Sequence, residues 1–306
     1  MKQDLLTFKD WNANDLYQLL VLARKVKTNP QDYNQALAGK SVVALFEKPS
    51  LRTRVSFDIG INRLGGHLVY LDSQSNKLAG REDMKDMGAN LSCWADAIVA
   101  RVFAHSTLEE LSSAARVPVI NALCDKYHPC QGLADYLTLQ EQYDDLSQVK
   151  LAYIGDGNNV THSLLIIGAI LGCDVVSVTP KGHEADPAMT AMAQELAKKF
   201  GGRVTASNDL AAAEGANVLY TDTWISMGDT TPLEKIKTVF DPYQVNAELM
   251  QQTGAEYVMH CQPAHRDLEI TSELIDGPQS LLMQQAENRM HAQNAILLHL
   301  LAKDVI

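Results

Sequence analysis

The sequence predicts an α/β protein with two doubly wound parallel-sheet domains and an active site in the cleft between them. Short runs of consecutive apolar residues, which are typical of strands buried on both faces, alternate with longer segments of helical periodicity. A polar break at residues 144–147 separates two such series. The chain length of 306 residues is also typical of two domains rather than one.

The first series begins with an amphipathic helix predicted over residues 14–27, with Asn14 as its cap. Strands and helices then alternate. The strands are predicted at 42–45, 67–71, 97–103 and 117–123, and the helices at 55–64, 82–94, 108–116 and 131–143. We therefore predict a first domain over residues 1–143.

The second series repeats this alternation after the polar break. Strands are predicted at 151–154, 175–179, 204–206, 218–221 and 257–260, and helices at 159–171, 187–200, 209–214 and 247–252. One long helix is predicted near the end of the chain, over residues 284–301. We therefore predict a second domain over residues 144–283 and a C-terminal helical segment over residues 284–306.

Composition excludes several classes of protein. A net charge of −11 argues against a general nucleic-acid surface. The longest apolar stretch, near residues 164–173, is too short to span a bilayer, and the first residues do not resemble a signal peptide. Five widely spaced cysteines without a Cys-x-x-Cys pair indicate neither a disulfide framework nor a zinc site. We expect a cytoplasmic protein with no metal, no membrane partner and no nucleic-acid partner.

The first polar cluster lies where the first predicted strand gives way to a helix. A helix N-terminus presents unpaired N–H groups and the positive end of the helix dipole, which favours an anion. Ser50, Thr53 and Ser56 add hydroxyl donors, and Arg52 and Arg54 add guanidinium groups that match phosphate oxygens. Basic residues normally avoid this end of a helix, so the pattern favours an anion site over a solvated first turn.

Other polar residues near the ends of predicted strands or within helices also have ordinary structural explanations. Arg101 lies in an apolar strand, where a charge is costly unless paired, so it indicates either a site or a structural ion pair. A lone histidine such as His128 is more often a surface residue than a catalyst. Cys261 is also explained as a small buried apolar residue, and Asp222 as an acid of the kind common at strand ends. Arg289 is also explained as a solvated residue of a helix.

The glycine-rich segment Gly155–Asn159 follows a predicted strand and opens a helix, as a dinucleotide-binding loop does. The fingerprint is incomplete, because Val160 occupies the third glycine position and the next strand leads to Lys181 rather than to a ribose-binding acid. A tight turn capped by asparagine explains the segment better than a dehydrogenase does.

Six segments in order resemble motifs of the aspartate/ornithine carbamoyltransferase family, in its ornithine branch, and together they cover essentially the whole chain. They are Ser50–Arg54, His128–Gln131, Gly155–Asn159, Asp222–Gly228, His260–Pro263 and Glu287–Arg289. Two positions depart from the family pattern. Leu51 stands where the family usually has threonine, and Gln262 stands where it usually has leucine.

The resemblance implies a role for each site residue. Carbamoyl phosphate is expected to bind Ser50, Leu51, Arg52, Thr53, Arg101, His128, Gln131, Cys261, Gln262 and Arg289. Ornithine is expected to bind Asn159, Asp222, Ser226 and Met227. The expected catalytic residues are Arg101, His128, Asp222, Cys261 and Arg289. The segment at 222–228 resembles a loop that closes over ornithine, and the last helix would return to the first domain.

The resemblance further implies transfer of the carbamoyl group from carbamoyl phosphate to the δ-amine of L-ornithine, without a metal or organic cofactor. It implies a setting in arginine biosynthesis and a homotrimer or a multiple of one, and it leaves the catabolic direction open. Two alternatives remain: a carbamoyltransferase that uses putrescine, a modified ornithine or aspartate, and a catalytically silent paralogue with the same fold.

Overall fold

The structure is a computed structural model that describes residues 3–72, 82–224 and 231–303. The chain divides into two compact units: unit 1 comprises residues 1–137 and 288–306, and unit 2 comprises residues 138–287. The chain therefore leaves unit 1 within one helix, Pro129–Gln142, and re-enters it within another, Leu282–Leu301.

Strands and helices alternate along the chain as predicted. The strands are β1 (Ser41–Phe46), β2 (His67–Asp72), β3 (Ala97–Arg101), β4 (Val119–Leu123), β5 (Lys150–Ile154), β6 (Asp174–Val178), β7 (Arg203–Ser207), β8 (Val218–Thr221) and β9 (Tyr257–His260). The helices are α1 (Ala13–Thr28), α2 (Leu51–Arg63), α3 (Met84–Leu91), α4 (His105–Ala114), α5 (Pro129–Gln142), α6 (Asn159–Ile170), α7 (Pro187–Phe200), α8 (Leu233–Phe240), α9 (Ala247–Thr253), α10 (Ser272–Asp276) and α11 (Leu282–Leu301).

Unit 1 is built on a parallel sheet with the strand order β2-β1-β3-β4. Strands β3 and β4 are buried along their whole length, which explains their uninterrupted apolar sequences. The strand order reverses between β1 and β3, whose last residues, Phe46 and Arg101, are register partners. Side chains that follow these two strands therefore emerge side by side at one edge of the sheet.

Unit 2 is built on a second parallel sheet with the order β7-β6-β5-β8-β9. Its order reverses between β5 and β8, where Tyr153 is the register partner of Tyr220. The Thr221 hydroxyl donates to the Ile154 carbonyl across this junction at 2.6 Å. The prediction of two parallel-sheet α/β domains is thus confirmed.

Several predicted elements differ from the structure in detail. The cap of α1 is Asn12, whose side chain accepts the Asp15 N–H, and not Asn14. Helix α2 begins at Leu51, four residues before the predicted start, because Ser50 caps it. The predicted helix at 209–214 is a short 3₁₀ turn at Leu210–Ala213. Helices α8 and α10 were not predicted, because each is short and lies in a polar region.

None of the five cysteines forms a disulfide bond. Among the helices in the described parts of the chain, none is both long enough and apolar enough to cross a membrane.

Helices α3 and α4 approach each other at a glycine, which gives a test of the packing. A Cβ atom on Gly88 would lie 2.4 Å from the Leu111 carbonyl oxygen of α4. Alanine improves helix propensity by about 1 kcal/mol, but overpacking against backbone costs about 1–3 kcal/mol. We expect Gly88→Ala to lower the free energy of unfolding, measured by urea denaturation.

The matched control is Ala89→Ser, which adds one atom at the next, exposed position of α3. We expect this change to stay within about 0.5 kcal/mol of the parent protein. A Gly88→Ala variant that is as stable as the parent would contradict the packing argument.

Candidate active site

Two clusters of polar side chains lie beyond the carboxyl ends of the strands, one in each unit. The unit 1 cluster comprises Ser50, Thr53, Arg101, His128, Gln131 and Arg289. The unit 2 cluster comprises Asn158, Asn159, Asp222 and Cys261. Both include residues next to the point where the strand order reverses, which is where ligands bind in open α/β sheets.

The N-terminus of α2 forms the base of the unit 1 cluster. The Ser50 hydroxyl caps the helix by accepting the Thr53 N–H at 3.3 Å, and it donates to the Thr53 hydroxyl at 2.9 Å. Thr53 is buried although it is polar, so its hydroxyl is fixed in one place. The first turn of α2 thus directs two hydroxyl groups and the positive end of a helix dipole to one point.

A continuous chain of hydrogen bonds joins three elements of unit 1. Arg289, on α11, donates through Nη2 to the Thr53 hydroxyl at 2.9 Å and through Nη1 to the Gln131 side-chain oxygen. Gln131, on α5, in turn donates through Nε2 to Asp135 Oδ1 at 2.7 Å. Arg289 and Gln131, predicted from motifs 158 residues apart, therefore meet in the structure.

The electrostatic character of the unit 1 cluster is positive. Arg101 and Arg289 are only 4% and 6% exposed. Burial lowers the pKa of His128 well below its ordinary value, and the charges of Arg289 and then Arg101 lower it further. Burial, followed by the charge of Arg101, also lowers the pKa of Lys48. An anion would relieve the repulsion that these groups exert on one another.

The other residues of the predicted motifs in unit 1 differ in their surroundings. The Arg54 guanidinium lies over the ring of Tyr70, 4.0 Å from its centre. Leu51 is 76% exposed at the first position of α2, and Arg52 beside it is half-buried. Cys130 is buried within the histidine motif, where its thiol donates to the Asn121 carbonyl and burial raises its pKa to about 12.

Asp222 is the centre of the unit 2 cluster. Its Oδ1 accepts the Thr223 N–H at 2.8 Å and faces the Cys261 thiol at 2.9 Å. Its Oδ2 accepts a hydrogen bond from the Asn158 carboxamide at 2.8 Å. Strands β8 and β9 pair through Thr221 and His260, so the residues that follow them, Asp222 and Cys261, are adjacent.

The glycine-rich loop after β5 has a structural reason for each glycine. Gly155 adopts a φ of 145°, which strongly favours glycine. A Cβ atom on Gly157 would lie 2.1 Å from the backbone nitrogen of Ala185. These two residues allow the chain to turn sharply into α6, so that Asn158 caps this helix and Asn159 is its first residue. Backbone conformation at Gly155 and close packing at Gly157 therefore account for the two glycines without dinucleotide binding.

A buried dyad supports the loop that carries Cys261. The Gln262 N–H donates to His260 Nδ1 at 2.8 Å, so His260 Nε2 carries the proton that it donates to Glu269 Oε1 at 3.1 Å. The Glu269 side chain also accepts the His265 N–H at 2.6 Å. Gln262 itself has a φ of 57°. The dyad therefore fixes the backbone on both sides of the Cys261 thiol.

Asp222, His260 and Cys261 place one candidate metal-ligand atom each within 4.8 Å of one another. These ligand atoms are already engaged, because the thiol and the Asp222 carboxylate bond to each other and both nitrogens of His260 bond to the protein. A metal ion would have to replace these hydrogen bonds, so we assign no metal to this group.

Two of the predicted site residues, Ser226 and Met227, lie outside the described residues, as does Gly228. The described segment ends on one side of this gap at Trp224, which is buried and stacks on Phe240 at a ring-centre distance of 5.3 Å.

Three residues of the hydrogen-bond networks were missed by the sequence analysis. Asp135, Asn158 and Glu269 each contact a predicted site residue or its immediate neighbour. Asp135 and Glu269 are fully buried, and Asp135 lies one helical turn after Gln131, a spacing that could have identified it. Asn158 lies within the glycine-rich motif, but its partner Asp222 is 64 positions away in the chain. Glu269 lies in an irregular segment, where no helical or strand spacing relates it to His260.

Two family models match the chain, one in each half. Residues 3–141 match the family model described as aspartate/ornithine carbamoyltransferase, carbamoyl-P binding domain, and residues 147–300 match its Asp/Orn binding domain. Over 299 residues the chain is 57% identical to an ornithine carbamoyltransferase of Vibrio sp. (strain 2693), which covers 98% of this chain and 99% of that protein.

A second relative, an ornithine carbamoyltransferase of Shewanella oneidensis, is 57% identical over 295 residues, which cover 96% of this chain and 98% of the relative. Among solved structures, the ornithine carbamoyltransferase from Pyrococcus furiosus is similar with a TM-score of 0.95 at 42% identity, over 99% of this chain and 98% of that chain.

The lowered pKa of His128 predicts a pH dependence of stability. The folded protein keeps this imidazole neutral, whereas the unfolded chain takes up a proton near the ordinary value of 6.5. Stability is therefore lost as the pH falls below this value. We expect His128→Gln to reduce the difference in free energy of unfolding between pH 7.5 and pH 5.5 by about 1 kcal/mol or more.

Urea denaturation at the two pH values measures this difference. His67→Gln is the control, because His67 is exposed on β2 and should leave the pH dependence unchanged. Equal pH dependence in the parent protein and in His128→Gln would show that His128 is not held neutral by the fold.

Proposed function

Because the chain belongs to the aspartate/ornithine carbamoyltransferase family, we propose that it transfers the carbamoyl group of carbamoyl phosphate to the δ-amine of L-ornithine, giving L-citrulline and phosphate. The observation that carries the choice of acceptor is the unit 2 cluster, where the buried carboxylate of Asp222 faces the thiol of Cys261 at 2.9 Å. A carboxylate suits an amine, whereas a dicarboxylate acceptor such as aspartate would require basic groups.

Carbamoyl phosphate is assigned to the first domain, for which we keep the predicted boundaries of 1–143. Ser50, Thr53 and the N-terminus of α2 supply donors for the phosphate oxygens, and Arg52 and Arg101 supply charge. The neutral imidazole of His128 can donate to the carbamoyl oxygen, while Gln131 binds the carbamoyl amide. Leu51, Cys261 and Gln262 complete the proposed carbamoyl phosphate contacts.

Ornithine is assigned to the second domain, over residues 144–283. Asp222 and Cys261 bind and orient the δ-amine, and Asn159, Ser226 and Met227 bind the α-amino and carboxylate end. The segment at 284–306 brings Arg289 to the carbamoyl phosphate residues, a role supported by its hydrogen bonds to Thr53 and Gln131.

In the proposed reaction the neutral amine of ornithine attacks the carbamoyl carbon. A nitrogen–carbon bond forms, the bond from carbon to the phosphate oxygen breaks, and the leaving phosphate takes up the proton that the amine loses. Negative charge develops on the carbamoyl oxygen, where Thr53, Arg101, His128 and Arg289 can donate hydrogen bonds. One such donor is typically worth about 3 kcal/mol of transition-state stabilisation. The leaving phosphate is neutralised by the same arginines.

We further propose a cytoplasmic homotrimer, or a multiple of one, that works in arginine biosynthesis. The absence of disulfide bonds among the cysteines agrees with a reducing compartment. An exposed apolar stripe on α2, formed by Leu51, Val55 and Ile59 at four-residue spacing, agrees with contact between subunits.

The acceptor is tested by assaying carbamoyl transfer to four amines in parallel. We expect citrulline from ornithine and no transfer to putrescine, N-acetylornithine or aspartate, because Asp222 binds one amine while the remaining contacts bind a free α-amino acid group. Transfer to another amine alone would overturn the acceptor assignment. Absence of transfer to all four by the folded protein would indicate a silent paralogue.

Asp222→Asn is the matched test of the acceptor residue. We expect its kcat/KM for ornithine to fall by a factor of about 100 or more, because a charged hydrogen bond and the alignment of the nucleophile are both lost. Binding of carbamoyl phosphate, measured by calorimetry, should be unchanged. The control is Asp144→Asn, an exposed carboxylate in the same unit, which should retain full activity.

The departure at Leu51 gives a separate prediction for the donor substrate. Leucine cannot donate the hydrogen bond that a threonine hydroxyl would, so we expect Leu51→Thr to lower the KM for carbamoyl phosphate by a factor of about two to ten. Val55→Thr, one turn further along the exposed face of α2, is the control. An unchanged KM in Leu51→Thr, with an unchanged oligomeric state, would refute the idea.

A further inference from the structure

We propose that Asn158 is a positioning residue for the acceptor half of the reaction, because its carboxamide couples the start of α6 to the carboxylate of Asp222. This inference rests on the proposed function, since it assigns a role within the binding of the amine substrate. Asn158 itself need not touch the substrate. It would act by fixing the direction in which Asp222 presents its oxygens.

The two ends of the Asn158 side chain have different partners. Its Oδ1 accepts the N–H groups of Val160 at 2.9 Å and Thr161 at 3.3 Å, which caps α6. Its Nδ2 donates to Asp222 Oδ2 at 2.8 Å. Because a carboxamide is planar and rigid, the cap determines where the NH₂ group points. The helix end and the carboxylate are therefore held by a single side chain.

The carboxylate of Asp222 is oriented by donors on both of its oxygens. Thr223 N–H and the Cys261 thiol lie at Oδ1, and Asn158 lies at Oδ2. Without the Asn158 donor, only the two donors at Oδ1 would oppose rotation of the carboxylate about its last torsion angle, which is intrinsically broad. The nucleophilic amine would then lose its fixed direction of approach.

Asparagine at position 158 indicates a role beyond capping α6, because capping alone does not require asparagine. Aspartate and serine cap helices as well as asparagine does, and Asp83 and Asp186 cap α3 and α7 in this chain. Serine lacks the NH₂ group that reaches Asp222, and an ionised aspartate offers Asp222 no donor. A substitution can therefore keep the cap and remove only the donor.

The groups around the Asp222 carboxylate would not stabilise a second negative charge beside it. The hydroxyl of Tyr153 faces the same region; burial raises its pKa well above the ordinary value, and Asp222, Asp156 and Cys261 contribute to this rise. The basic side chain in this region is that of His183. Its Nδ1 lies 3.0 Å from Asp156 Oδ1, and the side chain is half-exposed. An aspartate at position 158 would thus share a proton with Asp222 rather than find a cation.

The experiment compares Asn158→Ser and Asn158→Asp with two controls, Asn246→Ser and Asn246→Asp. Asn246 caps α9 in the same unit by accepting the Leu249 N–H at 3.0 Å, without contact to Asp222. We expect Asn158→Ser to lower kcat/KM for ornithine about tenfold or more, with KM for carbamoyl phosphate unchanged. Asn158→Asp should lose activity relative to the parent as pH rises, because loss of the shared proton leaves Asp222 without its donor.

The controls should retain the parent kinetics and pH profile. If Asn158→Ser and Asn246→Ser behave alike, or if Asn158→Asp shows the parent pH profile, Asn158 is only a cap and the proposal fails.

A second readout separates this proposal from the proposed function, because it needs no activity. In a Cys93→Ser background, Cys261 is the reactive thiol, since Cys124, Cys130 and Cys173 are buried and burial raises their pKa values. The added charge in Asn158→Asp should move the pH profile of alkylation by iodoacetamide to higher pH, whereas Asn246→Asp should not. Superimposable profiles would overturn the coupling even if citrulline forms.

Discussion

The geometry of the two parallel sheets at their points of strand-order reversal is the constraint on which the polar clusters depend. At such a point, two adjacent strands send their connections to opposite faces, so the residues that follow them are not covered by a helix. In unit 1 the pairing of Phe46 with Arg101 brings the segment before α2 beside the end of β3. In unit 2 the pairing of Tyr153 with Tyr220 does the same for Asp222 and the glycine-rich loop. Each cluster is therefore a consequence of backbone pairing before any side chain contributes.

The unit 1 cluster stores unfavourable electrostatic energy that a ligand can relieve. Arg101 and Arg289 are both almost completely buried, and, in addition to burial, the charge of each lowers the pKa of His128. Arg289 donates to Gln131, and Gln131 in turn donates to Asp135. His128 stays neutral because burial and the positive charges of Arg289 and Arg101 lower its pKa. Such a site favours a dianion. The folded protein already holds the positive charges together, so no further free energy is needed to bring them together when the ligand binds.

The sequence was sufficient for the sheets and for the residues at their edges, because both follow from local patterns. Uninterrupted apolar runs identified β3 and β5, and the resemblance of short motifs to a known family, added to their position, selected the polar residues near the strand ends. What could not be predicted is which of these residues meet. The contact between Arg289 and Thr53 spans 236 positions in the chain, and Arg54, which the motif presented as a phosphate ligand, lies on Tyr70 instead. Short elements such as α8 and α10 were missed because tertiary packing, as in the stacking of Phe240 on Trp224, stabilises them more than local propensity does.

The two departures from the family pattern lie where the fold does not depend on the side chain. Leu51 projects into solvent from the first turn of α2, whose cap is supplied by Ser50, so a leucine there costs no packing and no helix stability. Gln262 occupies a backbone conformation with φ of 57° that leucine would adopt no more easily, and its N–H, rather than its side chain, bonds to His260. Neither substitution therefore needs compensation elsewhere in the chain. Their effects are confined to the chemistry at the two strand ends. At position 51 an apolar group replaces a hydrogen-bond donor, and at position 262 an amide replaces an apolar group.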